Sequence, residues 1–122
     1  MLDLKLFVEK EMRMSAIYQP MVIIELLKSK TLSATMDDIG KKLSTKLSGN
    51  ADMTSYYSKK LSIYPKQVLY KRGVALVGTT KETCKTFYAT EAIKKLSKKE
   101  RKEIVKICEK KVDKFIEEKG GE

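Results

Sequence analysis

Polar and cationic side chains through the middle of this chain have the chemistry to hold a polyanion. In the stretch LYKRGVAL, Leu69 to Leu76, Lys71 and Arg72 stand immediately before a glycine. Lys60, Lys81 and Lys85 carry the same charge to either side. Ammonium and guanidinium groups so placed neutralise phosphates and position a duplex without reading its sequence. Thr54, Ser55, Ser58 and Lys59 are short or flexible polar groups suited to base edges in a major groove. Lys41 and Lys42, further upstream, would meet the adjacent backbone. A single surface lysine is ordinarily just solvated, and Tyr56 and Tyr57 are ordinarily packing residues. Only the joint placement of these groups points to double-stranded DNA as the partner.

The charge distribution agrees with that reading. The formal net charge is +10. Residues 1–34 hold five Lys/Arg against four Asp/Glu, residues 35–90 ten against four, and residues 91–122 eleven against eight. The middle segment is the lopsided one, so an anionic partner is expected there.

Catalysis is not expected within this chain. Histidine is absent, which excludes Ser-His-Asp and Cys-His nucleophile systems, HNH-type nucleases and HExxH proteases together. There is no P-loop and no GxGxxG. The ExK triplets Glu100 to Lys102 and Glu109 to Lys111 fall in a lysine-rich helical pattern, where they read as solvated helix charge rather than a nuclease core. Cys84 and Cys108 lack CxxC spacing and cannot complete a structural zinc site without histidine. They are expected to be reduced and inert, so no catalytic residue, metal or cofactor is assigned. No apolar run approaches the roughly 20 residues that span a bilayer, and MLDLKLFVEKE carries early acids and no cleavage site. The expectation is a cytoplasmic chain with no membrane partner.

The elements that would present these groups follow from periodicity and caps. Residues 1–14 form a helical extension, with Asp3 as N-cap and Leu6 and Phe7 on one face. Pro20 opens a first helix through Lys28, with Met21, Ile24, Leu26 and Leu27 on a broad apolar face. Thr31 to Ala34 has strand character. Thr35 caps a second helix with Asp38 in the capping-box position, and Ile39, Leu43 and Leu47 form its stripe. Gly40 lowers its propensity but would let another helix approach closely. After a Ser48-Gly49-Asn50 turn, Asp52 is expected to cap a third helix over 52–62. Its core stripe would be Met53, Tyr57, Leu61 and Tyr64, with Thr54, Ser55, Ser58, Lys59 and Ser62 outward. Pro65 would end or kink it, with one further turn before Gly73. Strands are expected over 74–77 and 86–90, where the period becomes alternating. Ser97 and Glu100 make a capping box for a last helix, with Ile104, Ile107, Cys108, Val112, Phe115 and Ile116 as its apolar face and Gly120 as its end.

This order predicts an α+β, mostly helical fold: a winged helix-turn-helix with three core helices, a two- or three-stranded wing hairpin and a C-terminal helix. The expected division is 1–14 extension, 15–96 winged-helix domain, and 97–120 a helix packing on the domain or mediating dimerisation.

Four segments carry a family resemblance: YQPMVIIELLK (Tyr18 to Lys28), SYYSKKLSIYPKQVLYKRGVAL (Ser55 to Leu76), TFYAT, and LSKKERKEIVKICEKKVDKFIEEKG (Leu96 to Gly120). Together they resemble the N-terminal module of restriction-type and HNH endonucleases, over about residues 15–120. The resemblance implies a winged-helix DNA-binding module that supplies target contact in restriction-modification, with a covalently linked nuclease domain elsewhere. Gly120-Gly121-Glu122 looks like the beginning of a linker. The region joining the second and third helices is less similar and the wing is longer, so sequence preference does not carry over. Two other readings remain. One is a free-standing winged-helix transcription regulator, a homodimer through the C-terminal helix. The other is a winged-helix protein–protein adaptor.

Overall fold

Tyr18 to Lys28 is apolar almost all the way round, and such a helix must be wrapped by other elements. The computed structural model describes residues 4–6, 8 and 17–120, with only the backbone of Tyr64, Lys119 and Gly120. In chain order the elements are α1 (Leu4–Leu6), α2 (Tyr18–Lys28), β1 (Ser33–Thr35), α3 (Met36–Ser48), α4 (Thr54–Leu61), α5 (Tyr64–Lys71), β2 (Ala75–Val77), β3 (Thr86–Ala89), α6 (Glu91–Lys94) and α7 (Lys98–Gly120). The fold is α+β and mostly helical, with a C-terminal helix and one antiparallel sheet of order β1-β3-β2. Ala34 pairs with Phe87, and Val77 with the same Phe87 from the other side.

Helix α2 sits at the centre. Met21, Val22, Ile23, Ile24 and Leu26 are buried, each side chain stabilising the fold by about 1.5–3 kcal/mol relative to exposure. Pro20 is the third residue of α2 rather than its first. It still lies in the opening turn, where a missing N–H breaks no helical bond. Helix α7 lies along α2, burying Ile104, Val105, Cys108 and Val112 against the same core. Burial pushes the Cys108 thiol up to about 12, so it stays protonated, whereas Cys84 is exposed. Among the described residues no helix is long and apolar enough to cross a membrane.

Two of the expected caps form, at Thr35 and Ser97. Thr35 Oγ1 accepts the Asp38 N–H at 3.0 Å, and α3 ends with Gly49 at φ +81°, the left-handed conformation glycine tolerates. Ser97 Oγ accepts from Glu100 N–H at 3.1 Å while Glu100 Oε1 accepts from Ser97 N–H at 3.2 Å. Gly40 lets α3 and α4 touch: a Cβ there would lie 2.8 Å from the Thr54 carbonyl oxygen and 2.9 Å from the Ser58 nitrogen.

Four expectations are corrected. Asp52 does not cap α4; the N-cap is Met53, with no side-chain bond. Pro65 does not end a helix but stands in the first turn of α5, a full helix where one turn was expected. The chain breaks just before it, at Ser62 and Ile63. The α4 stripe is also rotated: Ser58 and Leu61 are buried, Tyr57 is half-buried and Met53 is exposed. In the N-terminal extension Leu4 and Val8 are buried and Leu6 is exposed, while Asp3 and Phe7 lie outside the described residues.

Candidate nucleic-acid interface

Helix α4 presents only part of its expected reading face. Ser55 and Lys59 are exposed, as is Lys60, whose ammonium lies 5.3 Å from the centre of the Tyr56 ring. Ser58 is not available: it is 8% exposed and its hydroxyl donates to Asp37 Oδ1 at 2.8 Å. Close approach over Gly40 forces this, because residue 58 faces α3 wherever its backbone touches that glycine. Thr54 is half-buried and its hydroxyl donates to the Ala51 carbonyl at 2.6 Å. The remaining outward side chains include apolar ones, Met53, Tyr56 and Ile63. A tyrosine cluster backs the helix. Tyr57 is 5.1 Å from Tyr56 and 6.3 Å from Tyr18, centroid to centroid. Burial, with the Tyr56 and Tyr57 phenols adding to it, raises the Tyr18 hydroxyl above its ordinary value.

On α3, Lys42 turns toward α2. Lys42 is 2.7 Å from Glu25 of α2. With Lys41, Asp38, Thr45 and Lys46 these two line an open depression that contains no residue of α4, α5 or the β2–β3 loop. Lys41 and Lys42 thus share a depression with Glu25 of α2 rather than with any α4 or α5 residue.

The corner at residues 71–73 is built as a sharp turn. Lys71 and Arg72 are exposed at the end of α5, and Gly73 has φ +73°. Val74 N–H donates to the Leu69 carbonyl at 2.9 Å, and the Thr90 hydroxyl donates to the Gly73 carbonyl at 2.6 Å. These bonds fix the angle at which α5 feeds β2. Lys81 and Lys85 are exposed on the loop joining β2 to β3. That loop is internally braced: Thr80 and Thr83 hydroxyls are 2.7 Å apart, and each accepts the other residue's backbone N–H.

Helix α5 supplies residues that sequence reasoning passed over. Lys66, Gln67 and Tyr70 are exposed, Tyr70 to 63%, the largest fraction among the exposed large hydrophobic residues. With Val77, Gly78 and Thr79 they line a shallow groove of about 340 Å³ between helix and loop. A signal for this face was present. From Met53 to Lys81 there is no Asp or Glu, while Lys59, Lys60, Lys66, Lys71, Arg72 and Lys81 are cationic. Among the described residues no three His, Cys, Asp or Glu side chains gather as a metal-binding group. Compared with models of protein families, with curated proteins and with solved structures, the chain finds no match.

Proposed function

We propose that this chain is a winged-helix module that contacts double-stranded DNA through α4, α5 and the β2–β3 loop, as the target-contacting part of a restriction-type endonuclease. The observation that carries the reading is the acid-free segment 53–81, which builds two consecutive helices and the first hairpin strand and leaves its cations exposed. The order helix, strand, three helices, hairpin, with β1 paired to β3, supports a winged helix in which α5 leads into the wing. Gln67 and Tyr70 join Ser55 and Lys59 as groups for base edges, glutamine having the two-point match to adenine. Lys60, Lys66, Lys71, Arg72, Lys81 and Lys85 meet phosphates. The chain supplies contact, and hydrolysis belongs to a linked nuclease domain.

Titrating a random duplex at several salt concentrations tests this. About six neutralised phosphates give a log–log salt slope of about −5. Replacing Lys71 and Arg72 with alanine should weaken all duplexes alike and flatten the slope by roughly two units. An unchanged slope in that double variant would place the corner away from DNA. A protein–protein adaptor is the second reading, favoured by the exposed Tyr56 on α4 and by Met53 and Ile63, exposed just beyond its two ends. No duplex binding at low salt, together with a concentration-dependent mass, would select it.

A further inference from the structure

The first turns of α7 carry charge that their own helix does not compensate. Lys98, Arg101 and Lys102 have no carboxylate three or four residues away in either direction; their neighbours there include Lys94, Lys95, Lys99 and Lys106. Like charges at these spacings disfavour a helix. Glu100 does not relieve them, being engaged in the cap with Ser97. Arg101 is only partly satisfied: Nη2 donates to the Lys94 carbonyl at 2.9 Å, while the buried Nε has no partner.

These cations rim a groove of about 450 Å³ between the end of α2 and α7. Lys28, Lys98, Arg101, Lys102 and Lys106 stand round it, over Leu27 and Val105. Glu109 is the one carboxylate on the lining, 4.0 Å from Lys28. No residue of α4, α5 or the β2–β3 loop takes part, so the groove is a surface separate from the one assigned to DNA.

The spacing fits a helical occupant. Lys98, Lys102 and Lys106 repeat every four residues, about 6 Å along a helix. A second helix laid along α7 repeats its own side chains at that interval, so glutamates four apart would meet lysines four apart. Its apolar face would rest on the lysine methylene stems and on the narrow exposed edges of Leu27 and Val105, 8% and 9% exposed. A phosphodiester chain would answer the charge but offer nothing to that apolar floor. We propose that this groove docks an acidic amphipathic helix of a partner protein.

A labelled synthetic peptide, with leucines along one face and glutamates flanking them, can be titrated with the full chain. Saturable binding is expected, weakened about tenfold or more, roughly 1.4 kcal/mol, in the double variant Lys98→Glu/Lys102→Glu. A peptide with glutamine for glutamate should lose a similar factor. Lys81→Glu/Lys85→Glu, on the far loop, should bind the peptide as the unaltered chain does. Methyl NMR shifts of Leu27 and Val105 on adding peptide to the unaltered chain give a readout that needs no variant. Absence of saturable binding, or equal binding by the charge-reversed variant, overturns the proposal. So does a labelled duplex that shifts those methyls where the peptide does not, which would assign the groove to nucleic acid.

Discussion

Helices α4 and α5 are each eight residues long, follow one another with only Ser62 and Ile63 between them, and differ in how much of their polar surface packing takes up. On α4 the Thr54 and Ser58 hydroxyls are taken up by the Ala51 carbonyl and the Asp37 carboxylate, and Leu61 is fully buried. Among the described side chains of α5 the buried ones are Pro65 and Leu69, one turn apart, and Lys66, Gln67, Tyr70 and Lys71 stay in solvent. The difference comes from the partner surface. Gly40 opens a slot on α3 into which α4 settles backbone-deep, so small polar residues there become part of the packing. Helix α5 rests on a narrow stripe and leaves its polar face free. A run of serines on a helix therefore says less about exposure than the residue opposite it does.

The largest expected effects test whether each helix is anchored as described. Leu61 and Leu69 are both 0% exposed, so Leu61→Ala and Leu69→Ala should each lower unfolding free energy by about 2–5 kcal/mol in urea titrations. A cost for Leu69→Ala below about 1 kcal/mol would detach α5 from the core and erase the contrast, since neither helix would then be a fixed platform.

Next in size is Gly40→Ala. Helix propensity alone favours alanine by about 1 kcal/mol. Against it stands a Cβ placed within 3 Å of two backbone atoms of α4, which cannot rotate away as a side-chain end would. Overpacking of that kind costs typically about 1–3 kcal/mol, so a net loss of stability is expected in thermal melts. A gain would mean that α4 stands further off and that Ser58 is freer than its burial implies.

This contrast also marks what the sequence disclosed. Local chemistry was legible: Thr35 and Ser97 announced their helices through side chains that bond their own backbone, and the change of period at Gly73 announced the hairpin. Contacts set by distant residues were not. By its polarity Ser58 belongs on an outward face, and only Gly40 hints at the close approach that buries it. In local terms Pro65 is a stop that leaves a single turn before Gly73, although proline is equally at home in a helix's first turn. The pairing of Lys42 with Glu25, seventeen residues away, likewise has no local sign in the sequence. Of the proposed DNA face, the corner residues and the loop lysines were named from sequence. Gln67 and Tyr70 emerged only once α5 had a direction.

The smallest expected effect separates the two helices most cleanly. Ser58→Ala removes one bond to Asp37, worth about 1 kcal/mol. Alanine's better helix propensity returns a few tenths of that, and the exposed Asp37 can turn to water, so a net loss of about 0.5 kcal/mol is expected. Duplex affinity and base preference should not move, because the hydroxyl never faced solvent. Gln67→Ala should do the reverse. Its side chain is exposed, so the unfolding midpoint should hold, while selection from a randomised duplex pool shifts by about 1–3 kcal/mol at one position, the worth of a good base contact. Measuring both variants for stability and for pool selection gives four numbers with a crossed pattern. If Ser58→Ala alters the selected sequence and Gln67→Ala does not, the roles are exchanged: α4 reads and α5 braces. If neither alters it while the salt slope stays near −5, both helices serve as phosphate platforms, and sequence is read elsewhere on the chain.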